Sequence, residues 1–167
     1  MPAFFVDRMT LVMCCFIACL ALNGCQKPVT QNAQTAEKWI AAWNSHNVES
    51  VIPLFTDDVL YEDVSFEAVN HGSTELRKFA AFFFDAVPDL KLELANSSIN
   101  QGHGTIEWIF SGTDKGVYKT GKKFNVRGVT VIDVRDGKIS RNLDYYDTAA
   151  IMRQVGVLPT QKADSAK

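Results

Sequence analysis

Between residues 90 and 147 four stretches alternate apolar and polar residues with a period of two, and turn signals stand between them. The stretches are "LKLELANSSIN" (90–100), "TIEWIFSGTD" (105–114), "KFNVRGVTVIDVR" (123–135) and "KISRNLDYYD" (138–147). Such alternation describes strands with one face on a core and the other toward water. The segments between them, "NQGHG", "DKGVYKTGK" and "RDGK", carry the glycine, asparagine and aspartate that tight turns require. Four strands joined this way make an antiparallel meander, and its apolar face needs a cover. Upstream the period becomes helical. "STELRKFAAFFFDAV" (73–87) puts Leu76, Phe79, Ala80, Phe83 and Val87 on one stripe, with Ser73 as its cap and Pro88 as its stop. "TAEKWIAAWNSH" (35–46) spaces Ala36, Trp39, Ile40 and Trp43 in the same manner, with Thr35 as the cap. A short helix starts at Asn47, "DDVLYED" (57–63) reads as a strand, and "TAAIMRQVG" (148–156) is a last helix that ends at Gly156, with Pro159 beyond. Helices segregated to one side of a mostly antiparallel sheet predict an α+β fold.

The chain has 167 residues, 47% of them apolar and 22% charged, which suits one ordinary core. With 17 basic and 19 acidic residues the formal charge is −2, and no basic stripe exists to bind nucleic acid. The first 24 residues lie outside that core. Their apolar run from Met9 to Leu22, broken by Thr10, is short for a membrane span and suits a signal peptide. It ends in "LNGC" (22–25), which resembles the bacterial lipobox, whose cysteine is lipidated and becomes the new amino terminus. All four cysteines, Cys14, Cys15, Cys19 and Cys25, lie at or before this junction. The expectation is a lipoprotein of the bacterial cell envelope, anchored through Cys25, with a periplasmic domain. Gln26 after the cysteine points to the outer membrane rather than the inner. Cys25→Ala should move the protein from the membrane fraction to the soluble one; unchanged partitioning would refute the anchor. Residues 25–34 are polar and lack periodicity, as expected of a flexible tether with a mean reach of roughly 15–20 Å. The folded domain is placed at 35–159 and a disordered tail at 160–167.

Element order and five motifs carry a resemblance over residues 36–159. The motifs are "YEDVSFEAVNHG" (61–72), "AVPDL" (86–90), "SGTDKG" (111–116), "DGKI" (136–139) and "LDYYDTAAIMRQVGVLP" (143–159). In this order and spacing the chain resembles the nuclear transport factor 2-like (cystatin-like) superfamily, and within it the SnoaL-like polyketide cyclase, or ester cyclase, branch. The resemblance implies a cone-shaped curved sheet wrapped around the long helix, with a cavity open at one end for a small apolar molecule. It also implies a homodimer, paired through the outer sheet face.

Aspartate is depleted in strands, yet "RNLDYYDTAA" (141–150) keeps Asp144 in mid-strand. Alternation places Asn142, Asp144 and Tyr146 on one face and Arg141, Leu143, Tyr145 and Asp147 on the other. In SnoaL-like cyclases the strand after the "DGKI"-type turn carries the catalytic aspartate, and Asp144 matches it. A carboxylate in an apolar cavity has a raised pKa, as a general base requires. The other reading of Asp144 is a structural hydrogen-bond acceptor. Asp63 matches the proton-shuttling aspartate of ketosteroid isomerases, which share the fold, or is a solvated strand-end acid. Tyr61 has its parity and would line the same wall, as would Trp108 and Tyr146. His71 resembles a family residue near the cavity, with a structural role as the alternative. Thr130 stands where the cyclases carry a histidine. In the Asp-Arg-Asp set of epoxide hydrolases Asp114 would stand for the first acid, and Gly112 occupies the arginine position. Asp147 reads as the cap of the last helix, and Arg127 either points inward to an anion or covers the sheet. His46 and His103 fall in turns and read as solvated. No pair of ligands has metal spacing, so neither metal nor cofactor is expected. Two functions remain open: general acid/base isomerase, cyclase or hydrolase chemistry by Asp144 and Asp63, or a non-catalytic lipoprotein that binds an apolar ligand or docks a partner.

Overall fold

The computed structural model describes residues 29–160. The expected signal segment, Cys25 and all of the tail beyond Thr160 lie outside the described residues. Helix α1 (Val29–Asn44) buries Ala36, Trp39 and Trp43 along one face. It begins within the stretch read as a tether, and Thr35, read as its cap, lies inside it. Nothing in the polar composition of residues 29–34 forbids a helix that the buried face downstream already holds in place. Next come α2 (Val48–Val51), capped by the Asn47 side chain, and a 3₁₀ turn (Ile52–Leu54).

Strand β1 (Phe55–Asp63) pairs with β2 (Ala68–His71), and α3 (Gly72–Ala86) follows at once. Gly72 has φ +77°, a conformation costly for any other residue, and it turns the chain from strand into helix. Ser73, expected as the cap, is therefore one residue inside. Glu75 Oε2 instead accepts from the His71 backbone N–H at 2.7 Å, satisfying a free donor by reaching back. The buried face of α3 is Leu76, Ala80, Phe83 and Ala86, continued by Val87; Phe79 is half-buried.

Strands β3 (Lys91–Asn100), β4 (His103–Thr113), β5 (Lys123–Arg135) and β6 (Lys138–Tyr146) fall where the alternation put them, and α4 (Thr148–Gln154) closes the fold. The six strands of the described residues form one curved sheet in the order β2-β1-β6-β5-β4-β3. All neighbours are antiparallel except β1 and β6, which run parallel. Asp136 and Gly137, both at positive φ, make the two-residue turn that matches strand twist. Register shifts at Ala95 in β3 and at Ser140 in β6 bend the sheet over α1 and α3. At the edge, Asn44 exchanges two hydrogen bonds with the Leu92 backbone, at 2.8 and 2.7 Å, so the end of α1 is fixed to β3. His46, read as solvated, is half-buried. Its Nε2 lies 2.7 Å from the Leu90 carbonyl and its ring stacks on Phe84.

Candidate active site

The parallel pairing of β1 with β6 sets the site. It places Tyr61 beside Asn142 and Asp63 beside Asp144, all on the concave face. The antiparallel partner on the other side puts Thr130 opposite Asp144. Gly128 lies opposite both Trp108 and Tyr146. A Cβ on Gly128 would come within 2.1 Å of the Trp108 ring, so its absence lets the indole lie across β5. A cavity of about 40 Å³ opens between sheet and helices. Its walls are aromatic and aliphatic, from Trp39, Trp43, Phe79, Phe83, Leu90, Leu92, Trp108 and Phe110. Its polar groups are Tyr61, Asp63, Asp144 and Tyr146. A second cavity, of about 30 Å³, shares Phe83, Phe110 and Tyr146 with it and continues to Val117, Tyr118 and Ile151.

The two acids are 3% and 5% exposed, so neither is solvated in the ordinary way. Asp144 Oδ1 accepts from the Thr130 hydroxyl at 2.6 Å and from Asn142 Nδ2 at 2.9 Å, and Oδ2 accepts from the Tyr61 hydroxyl at 2.5 Å. Asp63 accepts from the Tyr146 hydroxyl at 2.8 Å and from the Phe66 backbone N–H at 2.9 Å. Burial raises the pKa of Asp144, against the pull of Thr130, Tyr61 and Asn142, which favour the charged form. Asp63 is pushed up to about 7, first by burial and then by the charge of Asp144, while Tyr146 and the backbone donors of Phe66 and Ser65 oppose the rise. Burial and the adjacent carboxylates also push both tyrosine hydroxyls upward, so they stay protonated.

The structure thus brings together Tyr61, Asp63, Trp108, Thr130, Asp144 and Tyr146. Thr130 is fully buried behind Asp144 and reaches the cavity only through it. His71 is not brought in: it is exposed at the start of α3. Asp114 is not among the acids of the main cavity; it borders the second one, with its carboxylate engaged by its own loop. Its carboxylate accepts from the backbone N–H of Tyr118 and Thr120 and from the Thr120 hydroxyl, which pins residues 114–122. Burial would raise its pKa, but these donors hold it below the usual value. At Gly112 a Cβ would meet Val87 at 2.2 Å, so no arginine fits in its place. Arg127 is exposed on the outer face of β5, which removes the inward alternative. Asp147 caps α4, accepting from the Ala150 N–H at 2.8 Å. His103 is exposed and contacts Asp133 on the outer face. Reading the sequence for function passed over Asn142, which is fully buried and joins Trp39 to Asp144. Its shared parity with Asp144 was the one available signal.

Residues 33–155 match the family model described as SnoaL-like polyketide cyclase. A curated relative, the cyclase aurE of Calcarisporium arbuscula, is 33% identical over 126 residues, which covers 74% of this chain and 92% of the relative. Among solved structures, a protein of ketosteroid isomerase-like fold from Catenulispora acidiphila, in complex with trimethylamine, superposes with TM-score 0.68. It has 24% identity, over 73% of this chain and 92% of that one. A SnoaL-like polyketide cyclase from Jannaschia sp. CCS1 gives TM-score 0.69 at 17% identity, over 81% and 99%. At these identities the two structures speak for the fold, and the family rests on the model and the curated relative. On that ground the chain belongs to the SnoaL-like polyketide cyclase family.

Proposed function

We propose that this domain is a cofactor-independent acid–base catalyst that removes a proton next to a carbonyl in a small apolar molecule, as ring closure by a cyclase requires. The observation that carries the reading is the pair Asp63 and Asp144, side by side on parallel strands in an aromatic cavity, with three side-chain donors on Asp144 and one on Asp63. Three side-chain hydrogen bonds favour the charged form of Asp144, so the negative charge of the pair resides there. That charge in turn helps Asp63 to keep its proton up to about pH 7. Environments that separate two neighbouring carboxyl groups in this way assign a base and an acid. Asp144 takes the carbon-bound proton, and protonated Asp63 donates to the carbonyl oxygen as charge builds on it. The aromatic walls hold an apolar substrate and exclude water, which strengthens both interactions.

Acetophenone, an apolar ketone with exchangeable methyl hydrogens, provides the test. Incubated with the domain in deuterated water and followed by proton NMR, it should exchange those hydrogens faster than in buffer alone. The protein-dependent rate should fall as pH rises through about 7, where Asp63 gives up its proton. No protein-dependent exchange, or a rate that only climbs with pH, would refute the assignment.

A further inference from the structure

The hydrogen bonds around Asp144 all run in one direction. Trp108 Nε1 donates to Thr130 Oγ1 at 2.8 Å, and Trp39 Nε1 donates to Asn142 Oδ1 at 3.1 Å. An indole N–H has no acceptor form, so each fixes the residue in front of it. The Thr130 hydroxyl, already accepting from Trp108, turns its proton to Asp144 Oδ1. The Asn142 amide, with its oxygen toward Trp39, turns its NH₂ to the same atom. Oδ1 is therefore held as an acceptor by two donors that have no reason to turn round, and a proton arriving on Asp144 goes to Oδ2.

Among the described residues the hydrogen-bond partner of Oδ2 is the Tyr61 hydroxyl, at 2.5 Å. A phenol has one proton to donate. While Oδ2 is a carboxylate oxygen, Tyr61 directs that proton to it. Once Oδ2 carries a proton of its own, the Asp144 O–H faces the Tyr61 oxygen, which becomes the acceptor. The phenolic proton must then turn to another acceptor, and Tyr61 lines the cavity that a substrate would enter. Tyr146, the other hydroxyl of that cavity, is engaged with Asp63 Oδ2 rather than with Asp144.

We propose that Tyr61 is a third catalytic residue, beside Asp144 and Asp63, whose hydroxyl passes from Asp144 Oδ2 to the ligand's carbonyl oxygen in the step in which Oδ2 takes the proton from carbon. In that step the C–H bond breaks and its electron pair forms the enolate C=C bond. The carbonyl π pair moves onto oxygen, and a new O–H bond forms at Oδ2. Tyr61 keeps its proton throughout; only its hydrogen bond moves, from an anion being neutralised to an anion being formed. The donor is thus supplied when charge develops and withheld before, so it stabilises the transition state and not the bound ketone. The proposal deepens the reading of Asp144 as the base and rests on it.

Tyr61→Phe keeps the ring and removes the hydroxyl. In the acetophenone exchange assay it should lower kcat by about 100-fold or more, the range for one lost oxyanion donor, with KM little changed. A kcat equal to that of the wild type, or a loss confined to KM, overturns the proposal. Should Tyr61→Phe fail to fold, 3-fluorotyrosine placed at position 61 keeps the shape and makes the hydroxyl more acidic. A changed kcat then supports the hand-off and an unchanged one overturns it. Asp144→Asn separates the two readings. Exchange that survives in Asp144→Asn overturns the base assignment and this proposal with it. Exchange that is lost in Asp144→Asn and intact in Tyr61→Phe overturns the role of Tyr61 alone.

Discussion

Asp144→Asn is expected to lower turnover by about 10²- to 10⁴-fold, the range for a lost general base, while leaving the domain folded and at least as stable at neutral pH. The amide keeps the shape of the carboxyl group. Its oxygen can still accept from Thr130 and Asn142, and its NH₂ can donate to the Tyr61 oxygen, whose own proton turns toward the cavity, so each of these atoms keeps a hydrogen-bond partner. What disappears is a charge in a site of 5% exposure. Because burial raises the folded-state pKa of Asp144, its stabilising contribution is complete below the unfolded pKa and declines as pH rises through the folded one. At pH 7, above the unfolded value, the buried acid therefore costs stability relative to low pH, and the neutral amide avoids that cost. Thermal unfolding and exchange rates, measured on the same preparation, decide the matter. A clearly destabilised variant with unchanged turnover would make Asp144 a structural acceptor.

Asp63 gives the second large effect, and it is a dependence of stability on pH. An unfolded aspartate loses its proton near 3.8, whereas the folded one holds it to about 7. Between those values the folded state binds more protons, so stability falls as pH rises. A window of about three pH units, at about 1.4 kcal/mol each, corresponds to about 4 kcal/mol. Against a typical domain stability of about 5–15 kcal/mol, that is a large fraction. The surface acids Asp58, Asp89 and Asp133 are shifted the other way, so their contribution is lost only on going below the unfolded value. The interval from about pH 4 to about pH 7 therefore isolates the buried pair. Urea unfolding at both ends should show the wild type weaker at the upper end. Asp63→Asn should flatten most of that slope, and a slope that persists unchanged would show that the proton is held elsewhere.

Much of this was legible in the sequence, for reasons that differ by element. The four strands of the meander could be read because alternation and turn chemistry agree residue by residue, with Asp136 and Gly137 the clearest case. Asp144 stood out because a mid-strand aspartate is locally unfavourable and needs an offsetting environment. The parts that were not legible depend on contacts between distant residues. Trp39 and Asn142 are 103 positions apart, and no local pattern links an indole on one helix to an amide on the last strand. Ser73 lost the cap position because Gly72 opens the helix, which puts the cap at His71, two residues earlier. The glycine-rich segment after Asp114 hid the fact that its backbone N–H groups turn inward onto that carboxylate. His46 looked solvated because nothing near it in sequence shows that Leu90 and Phe84 fold over it.

The parallel contact between β1 and β6 has a kinetic side. Thr130 reaches Asp144 across 14 residues, a separation that one hairpin closes. Tyr61 reaches it across 83, and only after the long helix and four further strands have been traversed. Closing a larger loop costs more chain entropy, and such contacts form late relative to local ones. The base thus acquires its local supports with the hairpin, and its phenol and its companion acid when β1 docks. A chain with the meander formed and β1 still free would carry most of the sheet, and Asp144 without its companion acid. Assembly of the site and completion of the fold are then one event, so proton-transfer competence reports on the last stage of folding.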